Sequence, residues 1–562
     1  MATSKITVKV GKKEYALDSG IARISLKERI LEEFPDIKEA MKEANVGVDL
    51  APELAPEKTK DGKYKFYIDG EWVEPKGKTF HDNLNPADKS EVLGKVGIAT
   101  PEEVDRAMKA AERDFAEWMY LSGDIRSKIF YRVVEHLKQN KPALEQIMCR
   151  EMGKTIFDCH LDIAEAIGVV EAVAPMGINM KGHTYQKNVN GTAMECRLSP
   201  RGVAAIITPF NFPLAIPIAQ VVSALVTGNP VIFKPSHLTP EISHAMVKII
   251  VLSMKEIGEK YNVKIPRGVL NMFTGGGSAC SSHPVVKTIH FTGSKEIGDK
   301  VDAIASALGK RVMKEVAGIN IFYVHKDADL ERASNNFIYG KTITGGQRCS
   351  SIQEAIIDAP VYEKFIEAVL KKVKNIVTGP GYSKEVMDAD ASPGKWSLPP
   401  VADEEQYNHI KDLLARAVKA GGKIRYQDKL PKSLTDKGYF FPFTLIENIG
   451  KDNPLYSEEI FGPVGVLTKV KDVYEAIDYI NNKIGIVACI DSKDKNTTEY
   501  FIERVLRTRI DDGRHGTGCF WATKFGGDRG AGSGNAALDT DMVYGYVIWK
   551  TIYRSFKEPE RG

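Results

Sequence analysis

Between residues 202 and 327, short apolar runs alternate with longer helical stretches. The runs at 203–208, 230–234, 268–273, 288–292, 311–315 and 320–325 predict strands. Stretches 216–227, 241–260, 278–283 and 296–308 predict helices separating the first five of them. Strands that alternate with helices make a parallel sheet covered on both faces, which places the chain in the α/β class. Such sheets bind ligands beyond the carboxyl ends of their strands. The polar tips there are Pro209-Phe210-Asn211, Lys234-Pro235-Ser236-His237, Thr274-Gly275-Gly276-Gly277, Thr292-Gly293-Ser294 and Glu315.

The pattern differs on either side. Residues 25–44 carry helix formers interrupted by Pro35, and 51–63 are rich in Pro, Glu and Lys, as in a linker or solvated loop. The first sixty or so residues therefore form an appendage, either a docking helical extension or a partner-binding segment. Residues 67–73 alternate around Asp69-Gly70 and predict a hairpin. Thr100, followed by Pro101-Glu102-Glu103, is a helix start with cap, proline and first-turn acids. Helices are also predicted at 127–139 and 142–151, and a protruding strand pair at 180–200. A second alternating series follows Asp327: helices near 330–339 and 361–374, strands at 352–358, 439–446 and 464–470, and a loop-like 379–403. The chain closes on a glycine-rich 526–534 and an apolar tail at 543–553.

A length of 562 residues implies two or three domains. The 77 basic and 74 acidic residues nearly cancel, which gives no case for nucleic-acid or membrane binding. No signal-peptide core and no bilayer-length apolar run is present, and the expected compartment is the cytoplasm. Seven cysteines, an odd number without a CxxC pair, argue against a disulfide framework or a zinc site; no HExxH occurs, and no metal is expected.

One cysteine stands apart. Gly345-Gly346-Gln347-Arg348-Cys349-Ser350-Ser351 sets it among small residues that let a substrate approach, beside a cation that favours the thiolate. Taken alone, Cys349 is either a nucleophile or a buried small hydrophobe. Likewise Glu315 alone could be a surface carboxylate after a strand, and Asn211 a turn residue.

The motifs Ile207-Thr-Pro-Phe-Asn-Phe-Pro-Leu214, Val231-Ile-Phe-Lys-Pro235, His290-Phe-Thr-Gly-Ser294, Glu315-Val-Ala-Gly318, Gly346-Gln-Arg-Cys349 and Glu458-Glu-Ile-Phe-Gly-Pro463 occur in that order. Together they resemble the successive motifs of the aldehyde dehydrogenase superfamily, over about residue 67 to the C-terminus. Glu315 precedes Cys349 by 34 residues and Asn211 precedes Lys234 by 23, both as in that family. The resemblance implies a Rossmann-like parallel-sheet cofactor domain, an α/β catalytic domain and a small β oligomerisation segment. The expected boundaries are 1–66 for the extension, 67–181 and 198–316 for the dinucleotide-binding domain, and 317–540 for the catalytic domain. Segments 182–197 and 541–562 would oligomerise into a homodimer or homotetramer. Cys349 would add to a small-molecule aldehyde, Asn211 with the Cys349 backbone N–H would hold the oxyanion, and Glu315 would activate the water that hydrolyses the thioester. For the cofactor, NADP or NAD, the resemblance implicates Thr208, Pro209, Phe210, Lys234, His237, Gly293, Ser294, Glu459 and Phe461. Gly275 to Gly277 reads equally as a plain turn or a cofactor contact.

Departures from the pattern qualify the details. NAD-preferring members often carry a glutamate three residues past the lysine, where this chain has His237. Losing that carboxylate removes a repulsion against a 2′-phosphate, so NADP is expected to serve at least as well as NAD. The usual glycine pair after the base is Ala317-Gly318, followed by Ile319 in place of the usual lysine. The Gly-x-Val-x-Val-Asn segment is replaced by Asp511-Asp-Gly-Arg-His-Gly-Thr-Gly-Cys-Phe520, so the substrate cannot be carried over. Phe525-Gly-Gly-Asp-Arg529 and Ser533-Gly534 match the family's C-terminal glycine motif. Arg348 either pairs with an acidic substrate or anchors its loop. A CoA-acylating relative and a catalytically silent nucleotide-binding protein on the same fold are the alternatives to a hydrolytic enzyme.

Overall fold

The computed structural model describes residues 6–10, 13–17, 54–186, 192–316, 318–534 and 539–555. Five strands form a parallel array in the order Arg311–Val316, Thr288–Gly293, Ala204–Ile207, Val231–Lys234, Leu270–Met272. Four of the five were legible as short buried runs, because a strand covered on both faces shows no alternation, while the edge strand Arg311–Val316 alternates and is partly exposed. Two antiparallel strands, Phe66–Ile68 and Glu71–Val73, complete this sheet at one edge. Their turn uses Asp69 at φ 56° and Gly70 at φ 80°, the left-handed pair that a two-residue hairpin requires. The strand Asn320–Val324 belongs instead to a second seven-stranded sheet, ordered Lys423–Gln427, Thr444–Glu447, Val464–Val470, Ile352–Asp358, Asn320–Val324, Val487–Asp491, Arg509–Asp512. Its strands are parallel except the first.

The helix Pro101–Tyr120 begins where the cap predicts: Thr100 accepts from the Glu103 N–H, and the Glu103 carboxylate accepts from the Thr100 N–H in return. Buried helices Ile156–Val173 and Ala215–Val226 pack side by side.

Three local readings change. Residues 379–403 are not a plain loop; they contain the helix Lys384–Ala391 and the strand Trp396–Leu398, which pairs with Ile376–Thr378. Residues 54–63 are not a solvated linker: Leu54 is buried, Lys58 pairs with Glu241 at 2.6 Å, and Glu57 with Lys248 at 2.8 Å. Near the start, Ile6–Val10 and Lys13–Leu17 pair as a hairpin, while the helix expected at 25–44 lies outside the described residues. The protruding pair is present as His183–Tyr185 and Thr192–Pro200, and the tail strand Val547–Ser555 adds to its other side.

Candidate active site

The carboxyl ends of the first sheet meet the amino ends of the second. Glu315 lies near the end of its strand, Asn211 follows Ala204–Ile207, and Lys234 closes Val231–Lys234. From the other side, Cys349 precedes Ile352–Asp358 and Glu459 precedes Val464–Val470. The rule about carboxyl ends therefore locates half of the site; Cys349 sits on the opposite kind of edge.

The cysteine loop is bent by three consecutive left-handed residues, Thr344 (φ 56°), Gly345 (φ 65°) and Gly346 (φ 75°). A Cβ on Gly346 would stand 2.4 Å from the Gly462 carbonyl oxygen, so the glycine is there to seat the loop against the Glu459–Phe461 segment. This replaces the expectation that these glycines make room for substrate. Gln347 fixes the loop by donating to the Thr344 carbonyl (3.0 Å) and accepting from the Ala402 N–H (3.0 Å). The Asn320 amide donates to the carbonyls of Cys349 (2.6 Å) and Ser351 (3.0 Å), while its oxygen accepts from the N–H groups of Ile486 and Val487.

Arg348 resolves as an anchor. It is buried, ion-paired with Asp158, hydrogen-bonded to the Thr344 hydroxyl at 2.7 Å, and stacked 4.8 Å from the centre of the Phe212 ring. Its partners are side chains rather than backbone carbonyls. The charge is spent on Asp158 and does not activate the thiol: burial first, then the Glu315 charge, hold Cys349 well above the ordinary thiol range.

Glu315 is 3 % exposed, and burial pushes its carboxyl up to about 7, opposed by a hydrogen bond from the Cys349 thiol. Its Oε2 has no hydrogen-bond partner among the described residues. A buried carboxylate oxygen without a partner beside a thiol is an energetic cost, of the kind found at catalytic sites. Main-chain bonds from Val316 to Ala531 and from Ser533 to Lys314, both 2.8 Å, clamp this strand against the glycine-rich segment after 526. Asn211 is equally buried and donates through Nδ2 to the Gln347 carbonyl at 3.0 Å, which leaves its second amide hydrogen aimed elsewhere. The three predicted catalytic side chains are thus brought together by one contact network.

The predicted cofactor residues fall on the same edge. Lys234, half-buried, makes no hydrogen bond or ion pair with the described residues, and burial lowers its pKa. His237 lies beyond it near His81, with ring centres 6.0 Å apart. Burial of part of the ring, then the charges of Lys234 and His81, lowers the His237 pKa, so the imidazole is neutral at neutral pH. The helix Lys295–Ala307 opens after Ser294 with no side-chain cap, leaving first-turn N–H groups for a phosphate. The Thr208 hydroxyl is buried without a partner. Pro209 and Phe210 follow it, and Phe210 stands edge-on to Phe461 at 6.1 Å. Phe461 itself takes φ 45°. The free amine, the open helix start and the unpartnered hydroxyl fit a dinucleotide.

Sequence reasoning missed the supports. Asp158 and Asn320 carry no motif. Lys341, buried and lowered to about 7, lies in the field of Glu459, which burial raises to about 8 against the opposing pull of Lys341 and the Gly318 N–H.

Comparison with known proteins agrees with this geometry. Residues 72–552 match the Aldehyde dehydrogenase family. The chain is 30 % identical over 492 residues to "Alpha-ketoglutaric semialdehyde dehydrogenase" of Bacillus subtilis (strain 168), covering 86 % of this chain and 97 % of that one. It is 29 % identical over 508 residues to "1-pyrroline-5-carboxylate dehydrogenase 2" of the same organism, covering 88 % and 93 %. The crystal structure of betaine aldehyde dehydrogenase from Staphylococcus aureus in complex with NAD+ superposes with TM-score 0.81 at 27 % identity, covering 88 % of this chain and 95 % of that one. The fold and the family match define an α/β oxidoreductase. The chain belongs to the aldehyde dehydrogenase family, whose members oxidise aldehydes with NAD(P)+.

Proposed function

We propose that the protein oxidises an aldehyde to the free carboxylic acid with NAD(P)+, through a thioester on Cys349. The observation that carries this is the Cys349–Glu315 contact, a thiol hydrogen-bonded to a buried carboxyl whose pKa sits near neutrality. Glu315 takes the thiol proton, and the thiolate adds to the aldehyde carbon. The resulting alkoxide meets the free Asn211 amide hydrogen and the Cys349 backbone N–H, preorganised donors in a water-poor pocket. The cofactor, when bound, would supply the acceptor for the hydride on the tetrahedral carbon that Cys349 and Asn211 hold in place. Glu315 releases the thiol proton to solvent and, ionised again, draws a proton from the water that attacks the thioester; collapse frees the acid and expels the Cys349 thiolate, which takes that proton back from Glu315. Lys234 and Thr208 would hold the cofactor's adenosine half, the start of helix Lys295–Ala307 its phosphates, and Glu459 with Phe461 its nicotinamide half.

A water-activating base beside the nucleophile supports hydrolysis over acyl transfer to CoA. Cys349→Ser tests the mechanism: turnover should vanish, and retained turnover would refute the assignment. Product analysis with and without CoA should give the free acid in both cases. For the cofactor, a neutral His237 in place of a carboxylate supports NADP use at least equal to NAD. His237→Glu should weaken NADP binding selectively; a strong NAD preference in the wild type would overturn that reading.

We assign residues 67–181 and 198–316 to the cofactor domain and 317–540 to the catalytic domain. The edge strand Val547–Ser555 exposes Trp549 (50 %) and Tyr553 (68 %), an unpaired edge suited to a second copy of the chain. Sedimentation should show a dimer or tetramer. No described helix is long and apolar enough to cross a membrane.

A further inference from the structure

Three adjacent strands of the first sheet begin at one corner, and each begins on positive charge. Arg201 lies three residues before Ala204–Ile207, Lys287 directly before Thr288–Gly293, and Lys310 directly before Arg311–Val316, whose first residue is Arg311. Main-chain bonds hold these starts together. The Lys287 N–H donates to the Val203 carbonyl at 2.9 Å, and the Arg311 N–H to the Lys287 carbonyl at 3.0 Å. The Lys287 stem lies over Gly202, where a Cβ would stand 2.9 Å from its Cγ. Four cations thus share a corner, and none forms an ion pair with a described residue.

Their field is one-sided. Burial first, then the charge of Arg311, lowers the Arg201 pKa. Burial and then the charge of Lys287 bring Lys310 down to about 8. Among the described residues, the ammonium groups of Lys287 and Lys310 meet main-chain carbonyls, of Pro284 at 2.8 Å and His283 at 2.6 Å. Arg201 grips the tail: its N–H donates to the Tyr546 carbonyl at 3.0 Å and its Nη2 to the Val547 carbonyl at 3.1 Å. Arg311 is exposed, and its guanidinium bonds to no described residue.

Two buried polar atoms at this corner also lack a partner among the described residues, Nε of Arg201 and the hydroxyl of Thr288. Thr288 is fully buried. It pairs with both Ala204 and Arg311, so its side chain and that of Arg311 leave the sheet on the same face. His290, two residues on, leaves by that face too and meets the Tyr546 hydroxyl at 2.7 Å, beside the residues that Arg201 holds. Cations gathered without a counter-charge repel one another; a multiply charged anion removes that cost and supplies acceptors for the guanidinium forks. Glu315 stands about 13 Å further along the strand that Arg311 opens, so this corner is on the edge opposite the cofactor residues.

We propose that the corner is an anion site, taking a phosphate-type oxyanion between Arg201 and Arg311 with Lys287 and Lys310 at its rim. It stands apart from the aldehyde-oxidising reading and does not depend on it.

Calorimetric titration of inorganic phosphate into the full chain tests this, at constant ionic strength and with NAD(P)+ saturating the other edge. One phosphate should bind per chain. Arg201 also holds the tail, so the deciding variant is Arg311→Gln, which removes an exposed side chain. It should weaken phosphate about tenfold or more, the worth of one hydrogen bond between charged groups. Lys419→Gln, the loss of an exposed cation on the distant helix Glu404–Lys419, should leave the affinity unchanged. A second measurement needs no variant: phenylglyoxal should label Arg311, and phosphate should protect it where chloride of equal ionic strength does not. Absence of binding, an affinity untouched in Arg311→Gln, or equal protection by chloride would overturn the proposal. So would indifference to phosphate combined with an Arg311→Gln variant that splits an oligomer, which would assign the corner to a contact between copies of the chain.

Discussion

Replacing Arg348 with methionine isolates what holds the nucleophile's loop. The substitution keeps much of the apolar stem over Phe212 but removes the ion pair to Asp158 and the bond to the Thr344 hydroxyl. Asp158 is wholly buried, and its only other ion-pair partner among the described residues is Lys154 at 3.9 Å, already committed to Asp162 at 2.7 Å. Breaking a buried pair from one side costs about 3–5 kcal/mol, because the remaining charge stays desolvated. Lys154 offsets part of this, so a loss of about 3 kcal/mol is expected. Asp158→Asn, which leaves Arg348 unpaired, should cost a similar amount. The double variant should cost clearly less than the sum, since no stranded charge remains. Denaturant unfolding measures the stability, and kcat reads the loop: a displacement of about 1 Å at Cys349 should lower it roughly a hundredfold. Additive losses, or singles costing under about 1 kcal/mol, would refute the anchoring role. So would a defect confined to KM for acidic substrates, which would make Arg348 a substrate contact.

Other outcomes follow from the same geometry. Asn211→Ala should lower kcat by about a hundred- to a thousandfold with KM little changed, the signature of a lost oxyanion donor, read by steady-state kinetics. Asn320→Ala should lower kcat and loosen the loop, since four bonds to the main chain depend on one side chain; faster alkylation or amide exchange around Cys349 would report it. Glu315 works as the carboxylate, and burial places its pKa at about 7. Thioester hydrolysis should therefore rise with pH through about 7 and fall away below it, and that inflection should be absent in Glu315→Gln.

The sequence made the first sheet legible because parallel strands buried on both faces read as unbroken apolar runs, and their polar tips then marked Asn211, Lys234 and Glu315. The second sheet was harder. Beside it, the short pieces near 376–398, a separate two-stranded sheet and a helix, sit among Gly, Pro and Ser, which mask a helix of eight residues and a strand of three. Cys349 was visible, but the forces that seat it were not. Arg348 finds Asp158 at a separation of 190 residues, and Asn320 reaches back to the Cys349 carbonyl across 29. Nothing in local composition signals such contacts. The adjacent arginine suggested an activated thiolate; in three dimensions its charge is paired with Asp158, and the group that touches the thiol is a buried carboxylate, to which we assign the activating role.

The most direct test of the central claim is the fate of the acyl group in Glu315→Gln. Mixing this variant with an aldehyde and the oxidised cofactor at high pH, where hydroxide replaces Glu315 in taking the thiol proton, should give a stoichiometric burst of reduced nicotinamide followed by turnover at least about a hundredfold slower than wild type, the contribution expected of a general base. Mass spectrometry of the quenched protein should then find the acyl group on the peptide containing Cys349. A variant that turns over at the wild-type rate, or that stalls with Cys349 unmodified after the burst, would contradict the account.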